Sequence, residues 1–85
     1  MNELVVSALP NPSANYFTIV IKGGNASEKL SVRVIDILGR RIERKDNLQT
    51  NSTLRIGNNY YPGVYIVEVI QGTNHKQIKL IKAGN

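Results

Sequence analysis

The chain contains no cysteine, which removes disulfide staples, thiolate nucleophiles and soft metal ligands together. Its single histidine, His75, has no second imidazole or thiol to complete a donor set, so neither a metal nor any cofactor is expected. Beside Asn74, His75 reads as a solvated residue of a hairpin loop. Compartment cannot be read from redox chemistry, because all-β domains without disulfides occur both in the cytoplasm and on bacterial surfaces. Long apolar runs are missing as well: none approaches the ~20 residues that span a bilayer as a helix. Met1-Asn2-Glu3 lacks the basic and then apolar plan of a signal peptide, so for an exported protein the export signal is expected upstream. No window sustains a helical period. The carboxylates Glu3, Glu28, Asp36, Glu43, Asp46 and Glu68 fall at strand ends, turns or solvent faces without a catalytic partner, and no base activates a hydroxyl. Enzymatic activity is not expected.

Acidic residues are few. Eleven Lys and Arg against six Asp and Glu leave a formal charge of +5, which raises the question of a polyanionic partner. The only dense cluster is Arg40, Arg41, Arg44 and Lys45, interrupted by Glu43, followed by Asp46 and without an aromatic residue to stack on a base. That pattern reads as a solvated, charge-protected strand, so no nucleic-acid partner is expected. Asn25-Ala26-Ser27 and Asn51-Ser52-Thr53 match the glycosylation acceptor pattern, which carries little weight in Asn-rich loops.

What is present is β-sheet. At 85 residues the chain is one domain, residues 1–85, with a thin core, since folding at this size hides only roughly 60–65% of the unfolded surface. Leu4-Val5-Val6 reads as a first strand, stopped by Pro10-Asn11-Pro12-Ser13 because proline cannot donate to a ladder. Tyr16 to Ile21 alternates, with Phe17, Ile19 and Ile21 on one face, and Gly23-Gly24-Asn25 follows as a loop. Leu30, Val32 and Val34 form the inward set of the next strand. Asp36-Ile37-Leu38-Gly39 then reverses the chain into Arg40 to Arg44: aspartate at the first turn position accepts the turn's own amides, and glycine suits the fourth. A polar loop over Asp46 to Asn51 leads to Ser52 to Ile56, with Leu54 and Ile56 inward. Val64 to Ile70 is the most apolar run and reads as the central strand. Gln71-Gly72-Thr73-Asn74 reads as a hairpin loop, and Lys76 to Lys82 closes the domain with Ile78 and Leu80 inward. About seven strands with turns every ~8–12 residues predict an all-β sandwich.

Two groups of residues could recognise something. Tyr16, Tyr60 and Tyr61 are a candidate sugar platform, the alternative being a carbohydrate-binding or adhesive sandwich of a multidomain extracellular enzyme. Against this, Tyr65 after Gly63 reads as the corner tyrosine of a Greek-key sandwich, whose hydroxyl bonds back to the preceding segment while the glycine lets the backbone come close. The terminal strand is the second group. Lys76, Lys79 and Lys82 interleave with Ile78, Leu80 and Ile81, a pattern that either protects a sheet edge or offers it to another protein by strand addition. Self-association is the other use of such an edge.

Taken in order, these segments resemble the C-terminal sorting domain of the type IX (Por) secretion system of Gram-negative bacteria, type A. Leu9-Pro10-Asn11-Pro12 is similar to its opening element. Val32 to Arg40, with Asp36 and Gly39, resembles its strand ending in an Asp-x-x-Gly turn. Pro62-Gly63-Val64-Tyr65-Ile66-Val67-Glu68-Val69 resembles its Gly-Val-Tyr strand, and Lys76 to Lys82 its terminal basic strand. Ile35 stands where the family often carries an aromatic residue, and Ala83-Gly84-Asn85 extends past the lysine where many members stop. The resemblance implies an immunoglobulin-like antiparallel sandwich of Greek-key topology at the end of a larger secreted protein. It further implies partners: the upstream cargo, the outer-membrane translocon, and a sortase-like cysteine peptidase that removes the domain and joins the cargo to anionic lipopolysaccharide. The expected path crosses the periplasm and the outer membrane to the cell surface. Pro10, Asn11, Pro12, Asp36, Gly39, Gly63 and Tyr65 are expected to set the fold. Lys76, Ile78, Lys79, Leu80, Ile81 and Lys82 are expected to form the recognised strand, with Lys79 and Lys82 as charge contacts.

Overall fold

A computed structural model describes residues 3–84; the expectations that touch Met1, Asn2 and Asn85 lie outside them. Seven strands follow one another: β1 Val5–Leu9, β2 Phe17–Lys22, β3 Leu30–Asp36, β4 Arg41–Leu48, β5 Ser52–Ile56, β6 Gly63–Gln71 and β7 Asn74–Lys82. They form two antiparallel sheets, ordered β1-β2-β5 and β4-β3-β6-β7. This is the immunoglobulin-like sandwich, with the chain crossing between sheets after β2, β4 and β5.

Period-two alternation fills the space between the sheets. Phe17, Ile19 and Ile21 of β2 face Leu30, Val32 and Val34 of β3 and Tyr65, Val67 and Val69 of β6, all buried, with Leu80 of β7 completing the layer. Each such side chain contributes roughly 1.5–3 kcal/mol on burial. Leu4, just ahead of β1, is 1% exposed and belongs to this core.

Several boundaries differ from the sequence reading. β1 runs on to Leu9, directly against Pro10, because Val6 and Ala8 pack on the core. β2 begins at Phe17, not at Tyr16. β4 continues through Asp46 to Leu48, across half of the expected loop: as an edge strand it shows its charges to water, so its composition resembles a loop. Register shifts against β3, at Leu30/Val32 and Val34/Ile35, accommodate its extra residues. Finally, Gln71 and Asn74 pair, so the last hairpin turns on Gly72 and Thr73 alone and His75 sits in β7, not in a loop. Gln71 is itself buried. Its amide donates to the carbonyls of Asn25 (2.7 Å) and Glu28 (2.9 Å) and accepts from the Asn25 amide (2.8 Å), clamping the β2–β3 loop.

Candidate functional site

Strand directions bring the ends of β1, β3, β5 and β7 and the starts of β2, β4 and β6 to one end of the sandwich. Pro10–Ser13, the Asp36–Arg40 turn, Tyr60–Tyr65 and the end of β7 therefore meet there, although up to 71 residues separate them in sequence. Glu3 lies toward the opposite end, where its carboxylate pairs with Lys76 in the first half of β7 (3.0 Å).

The terminal strand divides by parity. Asn74, Lys76, Ile78, Leu80 and Lys82 face the β1-β2-β5 sheet, with burial deepening toward Lys82, while His75, Gln77, Lys79 and Ile81 are exposed on the outer face. Lys79 and Lys82, three residues apart, thus point in opposite directions. Lys82 is 5% exposed. Its ammonium donates to the carbonyls of Asn15 (2.5 Å), Asn58 (3.2 Å) and Gly57, tying the end of β7 to the entry of β2 and the β5–β6 loop. A buried charge is tolerable only with such a full set of partners. Gly57 itself admits no side chain, having φ 90° and Phe17 within 2.8 Å of where a Cβ would sit.

The outer edge of β7 is partly occupied. The Asn11 side chain behaves as a strand residue would, its Nδ2 donating to Lys79 O (2.8 Å) and its Oδ1 accepting from Ile81 N (2.9 Å). Ser13 continues the pairing through its backbone, to Ile81 O (3.0 Å) and from Ala83 N (2.8 Å). The Ser13 hydroxyl, buried, donates to Tyr16 O and accepts from Asn15 N, which holds the segment in shape. Pro10-Asn11-Pro12-Ser13 is therefore a cover for the last third of β7.

The Asp36 turn is equally fixed. One carboxylate oxygen accepts from Leu38 N and Arg40 N (both 2.9 Å) and the other from Arg40 Nε (2.8 Å), while Gly39 N donates to Asp36 O. Desolvation pushes the Asp36 carboxyl up, but the bonds from Arg40 and Leu38 together outweigh it and hold the group below the usual carboxylate range. Gly39 has φ 83°, as the turn reading requires. At Gly63 the demand is conformational, φ 155°, and not close approach, since the nearest atom to a Cβ there would be 4.0 Å away.

The tyrosines do not share a platform. Tyr65 donates to Tyr61 O (2.6 Å), four residues back, as a corner tyrosine does. Tyr60 is half-buried, packs on Tyr65 with ring centroids 4.8 Å apart, and donates to Glu43 (2.6 Å); burial and that carboxylate push its hydroxyl far above the ordinary tyrosine range. Tyr16 carries Arg55 over its ring at 4.5 Å, and of the three only Tyr61 stands free, 85% exposed.

On the outer face of the larger sheet, sequence reading missed Glu68. It is 5% exposed and accepts from Arg33 and Gln77 (2.6 Å), its register neighbours, and contacts His75 at 3.2 Å. Desolvation raises its pKa, yet these partners prevail and keep it below the ordinary value. Among the described residues no three His, Cys, Asp or Glu side chains gather as metal ligands. The sequence model of a family described as "Secretion system C-terminal sorting domain" matches residues 7–83. No curated protein matches the chain.

Proposed function

Because the chain belongs to the secretion system C-terminal sorting domain family, we propose that the end of the sandwich carrying the last turns of the motif is what the type IX machinery reads. Membership itself makes the chain a C-terminal sorting signal of type IX secretion, directing an upstream cargo across the outer membrane toward the cell surface or extracellular space. In our reading β7 is the recognised strand. Its outward residues Lys79 and Ile81 make the contacts, and Ile78, Leu80 and Lys82 hold the strand in place from the inner side. Lys76, paired with Glu3, serves the fold at the other end.

One observation carries this reading: three segments distant in sequence meet the end of the terminal strand at one end of the sandwich, while Glu3, toward the side from which a cargo would join, lies away from it. A receptor can then engage the signal without meeting the cargo. The domain is a substrate in this scheme. It crosses the periplasm with its cargo, engages the outer-membrane translocon, and is cut off upstream by a sortase-like cysteine peptidase that attaches the cargo to anionic lipopolysaccharide.

The test is export of a reporter fused ahead of residues 1–85, in cells with and without the translocon. Translocon-dependent export that disappears on removal of Lys76 to Asn85, and that falls with Lys79→Glu, is the expected result. Periplasmic retention of the intact fusion in competent cells overturns the sorting reading, and normal export of Lys79→Glu overturns the contact role of that residue.

A further inference from the structure

The outer face of the four-stranded sheet is divided along its length. Toward the Glu3 end, Arg33, Glu68, Gln77 and His75 saturate one another in a polar network. Toward the motif end the same face is apolar. Ile35, Ile66 and Lys79 are cross-strand neighbours in one row, with Arg41 beside Ile35 on the β4 side, and Val64 pairs with Ile81 in the next but one, so four aliphatic side chains lie between two cations. Ile81 is 39% exposed and the other three are half-buried. Just past the Asp36–Tyr65 pair, Ile37 and Leu38 extend this end, 79% and 75% exposed.

The turn does not require large apolar groups at Ile37 and Leu38. The Asp36 turn is held by the Asp36 carboxylate and by Gly39, so its central residues could be Asn, Ser or Lys at no cost to its geometry. An outward sheet face in water is normally polar, as the other half of this one is. We propose that Ile35, Val64, Ile66 and Ile81, with Ile37 and Leu38 at the rim and Lys79 at the side, form a docking surface for a protein of the secretion machinery. The inference rests on the sorting reading above and names the surface and the partner's chemistry.

Charge chooses among the occupants. Lys79 makes no ion pair among the described residues, whereas Arg40 at the rim is paired with Asp36 at 2.8 Å. A second copy carries the same formal charge of +5, which opposes stacking two such faces. Ile35, Val64 and Ile66 lie half-buried behind the protruding Ile37 and Leu38, a relief that the side chains of a partner protein can fill. The complement is a protein surface with an apolar centre and a carboxylate placed to meet Lys79.

Two variants test this in the reporter fusion. Ile66→Glu puts a carboxylate in the middle of the patch, where its cross-strand neighbour Lys79 can pair with it, so the fold tolerates it while an acidic partner is repelled. Ile37→Ser with Leu38→Ser trims the rim where the chain is solvated. Each large aliphatic removed from a contact is worth about tenfold or more in affinity, so export should fall at least about tenfold. Circular dichroism melts of the purified domains verify folding, and Lys29→Ser at the opposite end should export normally. If the unmodified fusion is exported and both folded variants are exported equally well, the docking surface is refuted while the sorting reading stands; if the unmodified fusion stays behind, it is the sorting reading that fails. Should Ile66→Glu fail to fold, the rim variant alone decides. A purified domain that dimerises, or that sediments with vesicles of phosphatidylglycerol, and loses this with the same substitutions would overturn the protein partner in favour of a second copy or a membrane.

Discussion

Replacing Lys82 by methionine separates a lysine that builds the strand from Lys79, the one proposed to be read on it. Methionine keeps the length of the apolar stem and removes only the ammonium. Three carbonyls, those of Asn15, Gly57 and Asn58, then lose their shared donor at a site 5% exposed to water. A hydrogen bond from a charged donor contributes roughly 1.5–3 kcal/mol, and each stranded carbonyl costs about 1–3 kcal/mol. Removing the charge also relieves its own desolvation, so the net loss for Lys82→Met should be about 2–4 kcal/mol. For a chain of this length the whole stability is roughly 4–13 kcal/mol, and the loss is a large part of it. Urea denaturation is the assay: with a slope of about 1–2 kcal/mol/M, the midpoint should drop by roughly 1–4 M. Lys79→Met, on the exposed face, should stay within about 0.5 kcal/mol of the parent. If the two variants lose the same amount, or if Lys82→Met is as stable as the parent, the reasoning from burial is wrong.

Asn11→Leu should remove both side-chain bonds to β7 at a loss of roughly 1–3 kcal/mol, and hydrogen exchange at the Ile81 amide should quicken more than at Val67; unchanged protection of Ile81 would contradict the strand-like role given to Asn11. Stability should also fall in acid. Glu68 has a folded pKa below its ordinary 4.5, so between those two values the unfolded chain binds more protons than the folded one, and stability present above 4.5 is lost as pH drops through the folded value. Asp36 and Asp46 are displaced in the same direction. Thermal melts from about pH 6 to about pH 3 should show Glu68→Gln losing less over that range than the parent, and parallel curves would refute the assignment.

Inward sets were legible wherever period two was unbroken, as at Phe17, Ile19 and Ile21 or Leu30, Val32 and Val34. The Asp36 turn and the Tyr65 corner were legible too, because each is closed by bonds within a few residues. β4 was cut short because an edge strand that protects itself with charge has the composition of a loop. Gln71 and Glu68 were misplaced for a related reason: a polar side chain reads as solvated, and only distant partners in the folded chain give it a buried position. The order of the motifs was visible in the sequence, but their meeting was not, since Asn11 reaches residues 68 and 70 positions away. Lys82 is the instructive case. Parity alone sends Lys79 and Lys82 to opposite faces of a strand, and weighing the two together as charge contacts overlooked that signal.

The directions of β1 and β7 have a mechanical meaning. Both run from the Glu3 end of the sandwich toward the Lys82 end. A pull between an attached upstream segment and the end of β7 is therefore aligned with the strands. Under that load the nine residue pairs between β6 and β7, and the five between β1 and β2, slide against one another in shear and must yield together, whereas a pull across the sheet would open them one at a time. With β7 as the proposed grip and a cargo attached upstream, the load would fall on the domain in the direction its strands resist together.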